Sequence, residues 1–236
     1  MTRIEGALKF PPGLSTMCGV LNHVSSGGKA TLRLKQAVVA GVAGLGLVAA
    51  GAAFWREDLR FRLPTPRPAG LVQPALATAP ALPAALAAAL SGRDGPALIH
   101  VFNSRCACSR FNLPHLQELT EAHAGSVRFV AVIEGDEEAG RRLLAEVPGL
   151  VVLADPDGAI AHAVGVYSTP QAVILDAGGR LRFRGNYNES RYCADRETQW
   201  ARLALEAVLA EEPAKVSASA AIAWGCELPA DVAGAP

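Results

Sequence analysis

Two cysteines one residue apart stand between an apolar run and an amphipathic one, in Phe102-Asn-Ser-Arg-Cys106-Ala-Cys108-Ser-Arg-Phe-Asn-Leu-Pro114. The run Ala97-Leu-Ile-His-Val-Phe102 is short and rich in strand formers, so it reads as a buried strand. Ser109 to His123 reads as a helix, with Leu113, Leu116 and Leu119 at helical spacing and Gln117, Glu118 and Glu121 between them. A cysteine at such a junction lies where backbone N–H groups and the helix dipole favour a thiolate. That placement points to thiol–disulfide chemistry. The plain alternative is two small residues packed under a turn.

The chain then keeps alternating. Val127–Ile133 reads as a strand, Asp136–Glu146 as an amphipathic helix and Leu150–Leu153 as a third strand. Asp155–Gly158 is a turn before a short helix at Ile160–Val164. Gln171–Asp176 and Arg180–Gly185 flank a tight Ala177–Gly179 turn as a hairpin, and Arg196–Ala210 is the last helix. Strands alternating with helices give an α/β layered fold with parallel strands, to which the hairpin adds antiparallel pairing.

Ahead of this domain runs an uncharged stretch from Ala37 to Trp55. About 20 apolar residues cross a bilayer core, so residues 36–56 read as one transmembrane helix with Trp55 at an interface. A buried soluble helix and a cleaved signal peptide are the alternatives. Residues 1–35 lack periodicity and read as a disordered N-terminal segment. Residues 57–80 are rich in proline and alanine and read as a semi-extended spacer. The folded domain is expected over 81–212, with 213–236 as a tail. Lys29, Arg33 and Lys35 precede the apolar stretch while Arg56, Arg60, Arg62 and Arg67 follow it, so charge does not set its orientation. Cys18 precedes it, whereas Cys106, Cys108, Cys193 and Cys226 follow. An even set on one side fits an oxidising compartment there. The chain thus reads as a single-pass inner-membrane protein of bacterial type with its C-terminal domain in the periplasm. A formal net charge of +0 gives no sign of a nucleic-acid partner.

Four features, in order, resemble the thioredoxin superfamily, and in particular its membrane-tethered redoxins. They are the strand–Cys–helix unit, Pro114 in the helix after Cys106, Thr169-Pro170 leading into a strand, and the closing hairpin and helix. The resemblance covers about Leu82 to Ala210. It implies a three-layer sandwich with a mixed central sheet, a nucleophilic Cys106, and a cis proline loop at Thr169 and Pro170 that pairs with the substrate's backbone. It also implies a buried group beneath the disulfide at His100, where an imidazole could shuttle the thiol proton or simply be a satisfied core histidine. No cofactor and no resident metal are expected.

The chain departs from the family's C-x-x-C: aligned on Pro114, Ser109 stands where the second cysteine is usual and Cys108 is an added thiol. Residues i and i+3 share a helix face and i and i+2 do not, so Ser109 is expected beside Cys106 in the substrate-binding region and Cys108 is expected to be badly directed. The hairpin topology brings the loop ending at Cys193 to the edge of the sheet that carries Cys106. Cys193 is therefore the thiol that resolves a mixed disulfide on Cys106, one half of a Cys193–Cys226 staple fastening the tail, or a free thiol. Three functions remain open: an oxidoreductase exchanging disulfides with protein thiols and an unidentified electron donor, a Cu(I) metallochaperone using Cys106 and Cys108, and a redox-inert thioredoxin-like binding module.

Overall fold

The aliphatic runs at Ala97–Asn103 (β1), Arg128–Glu134 (β2) and Leu150–Ala154 (β3) lie side by side and parallel in a computed structural model. It describes residues 18–57, 59, 63–92, 94–189 and 195–228. The chain divides into two compact units, Met1–Leu59 and Arg60–Pro236.

In the first unit, α1 spans Cys18–Glu57. Its part Thr31–Arg56 holds 26 residues and is long and apolar enough to cross a membrane. At 1.5 Å per residue that is about 39 Å, against a hydrocarbon core of about 30 Å. Residues 18–35 are thus helical rather than part of the disordered segment expected, and residues 1–17 of that segment lie outside the described residues.

In the second unit the sheet order is β3-β2-β1-β5-β6, with β5 (Gln171–Leu175) antiparallel to β1 and β6 (Leu181–Gly185) antiparallel to β5. The side chains of each strand alternate between two cores. On one face Leu98, Phe102, Ala131 and Ile174 pack under α4 (Leu113–Ala122), α5 (Glu137–Leu144) and α7 (Trp200–Leu209). On the other, Ile99, Val101, Val132 and Val173 pack with Leu86 of α2 (Ala84–Leu90) and with Ile160 and Val164 of α6 (Ala159–Val164). Helices on both faces of a mixed sheet make three layers. The helix expected over Ser109–His123 is broken into α3 (Ala107–Phe111) and α4, with Pro114 in the first turn of the second piece. Proline has no N–H to continue the ladder. Just before it, Asn112 N–H donates to the Ser109 carbonyl at 3.2 Å, and the Cys108 carbonyl accepts from Asn112 Nδ2 at 2.9 Å.

The expected spacer is not free over its described part. Thr65 N–H donates to the Ala223 carbonyl at 2.8 Å, and Thr65 Oγ1 lies 2.9 Å from Ser168 Oγ. Ala77 N–H donates to the Leu181 carbonyl at 2.7 Å, and Leu181 N–H to that of Thr78 at 2.8 Å. Proline-rich chain has unpaired carbonyls and no period of its own, and the outer edge of β6 has backbone groups to satisfy. Each supplies what the other lacks. The expected tail is built in as well. Asn186 N–H donates to the Ala220 carbonyl at 2.9 Å, and Cys226–Glu227 form β7, paired antiparallel with Ser168–Thr169 (β4).

Candidate active site

At the C-terminal end of β1 the chain turns sharply: Asn103 accepts from Cys106 N–H through its carbonyl at 3.0 Å and from Arg105 N–H through Oδ1 at 2.9 Å. Cys106 is the residue before α3, with an extended backbone at φ −85° and ψ 116°. Its side chain is 1 % exposed, and Sγ lies 3.4 Å from the Thr169 carbonyl oxygen. In the thiol form that contact becomes a hydrogen bond. Thr169 is fully buried, and the Thr169–Pro170 peptide is cis.

Across from Thr169 in the β4–β7 ladder stands Cys226. It forms a disulfide with Cys106 across a Cα–Cα separation of 5.9 Å, within the usual span of such bonds. The staple expected between Cys193 and Cys226 is therefore not formed in this structure, because the tail returns across the Thr169 strand and delivers Cys226 to Cys106 instead. Cys193 lies outside the described residues. The hairpin topology holds: β6 ends at Gly185, and Asn186 emerges at this same edge, where its Nδ2 donates to the Ile222 carbonyl at 2.6 Å.

Cys108 is buried, and the sulfurs of Cys106, Cys108 and Cys226 all lie within 4.8 Å of one another. The expectation that Cys108 points away rested on both residues being helical. Cys106 precedes the helix in extended conformation, so the helical rotation between i and i+2 does not apply to this pair. Ser109, expected to face a substrate, is fully buried, and its Oγ accepts from Asn103 N–H at 3.3 Å. It braces the turn.

His100 is fully buried, with Nδ1 2.8 Å from the Tyr187 hydroxyl oxygen. Burial, with the nearby His115 charge, pushes its pKa down to about 3, and burial likewise lowers His115 to about 4. The imidazole is neutral and is engaged by a tyrosine whose own pKa burial raises. Nε2, on the other side of the ring, is buried and meets no hydrogen-bond partner among the described residues. The sequence reading missed Glu134, which stands at the end of β2 in register with Asn103 and is fully buried. Burial first, and then the neighbouring Asp155, raise its pKa to about 9. Asp155 caps α6 by accepting from the Ile160 and Ala161 N–H groups, each at 2.9 Å. A lone glutamate closing an apolar strand was the available signal. Also missed was a cavity of ≈ 260 Å³ lined by Leu63, Pro64, Thr65, Pro66, Gly225, Cys226 and Glu227, on the Cys226 side of the disulfide.

Residues 77–228 match the family described as a domain of unknown function, DUF6436. The chain belongs to that family. Its DUF6436 region contains Cys106, Cys108, Thr169 and Cys226, whereas Leu63–Pro66 beside the disulfide precede it. The chain is also similar to the thiol:disulfide interchange protein DsbE of Pseudomonas aeruginosa, at 31 % identity over 91 residues, covering 38 % of this chain and 49 % of the relative. With the thiol:disulfide interchange protein CycY of Rhizobium leguminosarum bv. viciae it shares 33 % identity over 115 residues, covering 48 % of this chain and 60 % of the relative. The match thus spans about half the length of these curated relatives. Among solved structures, a hypothetical protein of Sinorhizobium meliloti 1021 superposes with a TM-score of 0.54 at 22 % identity, over 66 % of this chain and 95 % of that one. An uncharacterized conserved protein of Geobacillus kaustophilus gives a TM-score of 0.52 at 21 % identity, over 70 % and 97 %. These two share the fold. The DUF6436 unit of this chain is thioredoxin-like, with its cis proline, its kinked active-site helix and its mixed sheet in thioredoxin order.

Proposed function

We propose that this protein is a membrane-anchored thioredoxin-like oxidoreductase that exchanges disulfides with protein thiols outside the cytoplasm through Cys106. The observation that carries the reading is the seat of Cys106: its sulfur lies against the Thr169 carbonyl and is bonded to a cysteine on the neighbouring strand. The curated relatives bear the name thiol:disulfide interchange protein, and the helix Thr31–Arg56 supplies the anchor. The exchange balances over two steps. A substrate thiolate attacks one sulfur of Cys106–Cys226, and the other sulfur leaves as a thiolate. A second substrate thiolate then attacks the substrate's sulfur in the mixed disulfide and releases the enzyme's second thiolate. Two electrons pass from the substrate dithiol to the cysteine pair, and the same steps reversed reduce a substrate disulfide. Thr169 and Pro170 present backbone to the incoming chain, and Cys226 takes the redox-partner role expected of Cys193.

The test is disulfide exchange by the full chain in detergent against a protein disulfide, beside Cys106→Ser. Exchange that falls to background in the variant supports the reading; exchange that survives overturns it. A second reading rests on the three sulfurs within 4.8 Å. Once reduced, they form a soft donor set suited to Cu(I). A Cu(I) titration of the reduced chain against a competing chelator, with Cys108→Ser beside it, decides that reading. A metallochaperone loses affinity in the variant, whereas an oxidoreductase keeps its exchange rate.

A further inference from the structure

We propose that Ala223–Leu228 is a tethered copy of the substrate, and that protein substrates dock on Ser168–Thr169 as an antiparallel strand with a glycine–cysteine pair where Gly225 and Cys226 now lie. The proposal rests on the reading of Cys106 as the exchange thiol and adds what that thiol recognises.

The tail is held by main-chain hydrogen bonds along its length, beside the burial of Ala223, the packing of Leu228 and the bond from Cys226. Thr65 N–H donates to the Ala223 carbonyl at 2.8 Å, and Thr65 Oγ1 to that of Gly225 at 3.3 Å. Ser168 Oγ donates to the Cys226 carbonyl at 3.2 Å, and Trp224 N–H donates to Asn186 Oδ1 at 3.2 Å. The ladder sets Ser168 opposite Glu227 and Thr169 opposite Cys226. A surface that binds backbone accepts any extended chain, as in strand addition. The Glu227 side chain is exposed. The bond to Cys106 is of the same kind as the mixed disulfide formed with a substrate. Tail and substrate would occupy one strand position and one sulfur, so they exclude each other.

Specificity comes from Gly225. Its φ is +153°, and a Cβ there would collide with the Thr169 carbonyl oxygen and stand 3.1 Å from Ser168 Oγ. The obstacle is backbone next to the cis peptide, not the end of a flexible side chain. A residue with a side chain just before the cysteine therefore cannot seat in this pose.

In the exchange step, the Cys106 thiolate attacks the cysteine sulfur of a peptide disulfide. A Cys106–peptide disulfide forms, and the other thiol leaves as a thiolate carrying the electron pair. The experiment uses the full chain in detergent carrying Cys226→Ser, with Cys106→Ser/Cys226→Ser as background. The probes are two peptides with the flanks Ala-Trp-x-Cys-Glu-Leu, x being glycine or alanine, each as a mixed disulfide with nitrothiobenzoate, whose coloured thiolate reports capture. The glycine peptide is expected to be captured at least about tenfold faster than the alanine one, a ratio that corresponds to about 1.4 kcal/mol. Adding Gly225→Ala to Cys226→Ser unseats the tail and is expected to speed capture of the glycine peptide further. Equal, Cys106-dependent rates for the two peptides, or no gain on adding Gly225→Ala, overturn the proposal and leave the oxidoreductase standing. Capture no faster than background for both peptides brings down the exchange role of Cys106 and this proposal with it.

Discussion

Thr169 and Cys226 face each other across a two-residue antiparallel ladder, so the residue before the cis proline holds the strand that carries the disulfide partner of Cys106. In a C-x-x-C site the second thiol comes from the helix side. Here it comes from the side on which a substrate would lie, and the loop from Leu63 to Pro66 flanks it.

This placement decides where a small reductant enters. Cys106 is 1 % exposed, whereas Cys226 is half-buried and borders the cavity beside Pro64. A short exposure to glutathione is expected to leave the adduct on Cys226, with Cys106 released as the thiolate. Quenching with acid and mapping the adduct by mass spectrometry checks this; an adduct on Cys106 refutes the stated route.

The proline-rich segment should behave as part of the fold. A chain beginning at residue 63 keeps the Thr65 and Ala77 bonds, and one beginning at residue 81 loses them. Each such hydrogen bond contributes about 0.5–1.5 kcal/mol net. The shorter chain is therefore expected to unfold at clearly lower urea concentration than the longer one. Matching midpoints would make the segment a mere spacer.

Glu134 predicts a pH dependence. Its folded pKa of about 9 stands above the ordinary 4.5, so between those values the folded chain holds a proton that the unfolded chain has lost. The stability from this group is full below pH 4.5 and is lost as pH rises toward 9, at up to about 1.4 kcal/mol per pH unit. His100 and His115 work the other way, because their pKa values are lowered to about 3 and about 4. Their stability is full above the unfolded value near 6.5 and is lost as pH falls toward 4. Glu134→Gln is expected to flatten the loss between pH 7 and 9 in denaturant titrations and to leave the acid limb in place.

Tyr187→Phe separates the two readings of His100. The change removes the partner of a buried nitrogen and is expected to destabilise by about 1–3 kcal/mol. The pH profile of Cys106 alkylation in the reduced chain should stay where it is. A shifted profile would return His100 to the thiol's proton path.

Much of the sheet was legible because its signals are local. Ala97–Phe102 and Val127–Ile133 are apolar runs of strand length, and the Arg180–Gly185 alternation marks a strand with one wet face; the structure pairs these segments as expected. Pro114, Thr169 and Pro170 stood out because proline constrains its own backbone and that of its neighbour. The helix was read one residue pair too simply. Treating Cys106 as helical turned Cys108 away, and only the extended backbone of Cys106 brings the two sulfurs near each other.

By itself, the amino-acid sequence determined the five strands of the main sheet, the order of strands and helices, the apolar N-terminal stretch and the likeness to thioredoxin, because period, proline and glycine act within a few residues of chain. The tertiary structure alone decided that residues 63–80 and 213–228 belong to the domain, and that Cys106 takes Cys226, at a sequence separation of 120, as its partner. Pairing across that distance depends on which strand edge is left open and which segment has unpaired carbonyls to lay along it. No pattern within either segment records that complementarity.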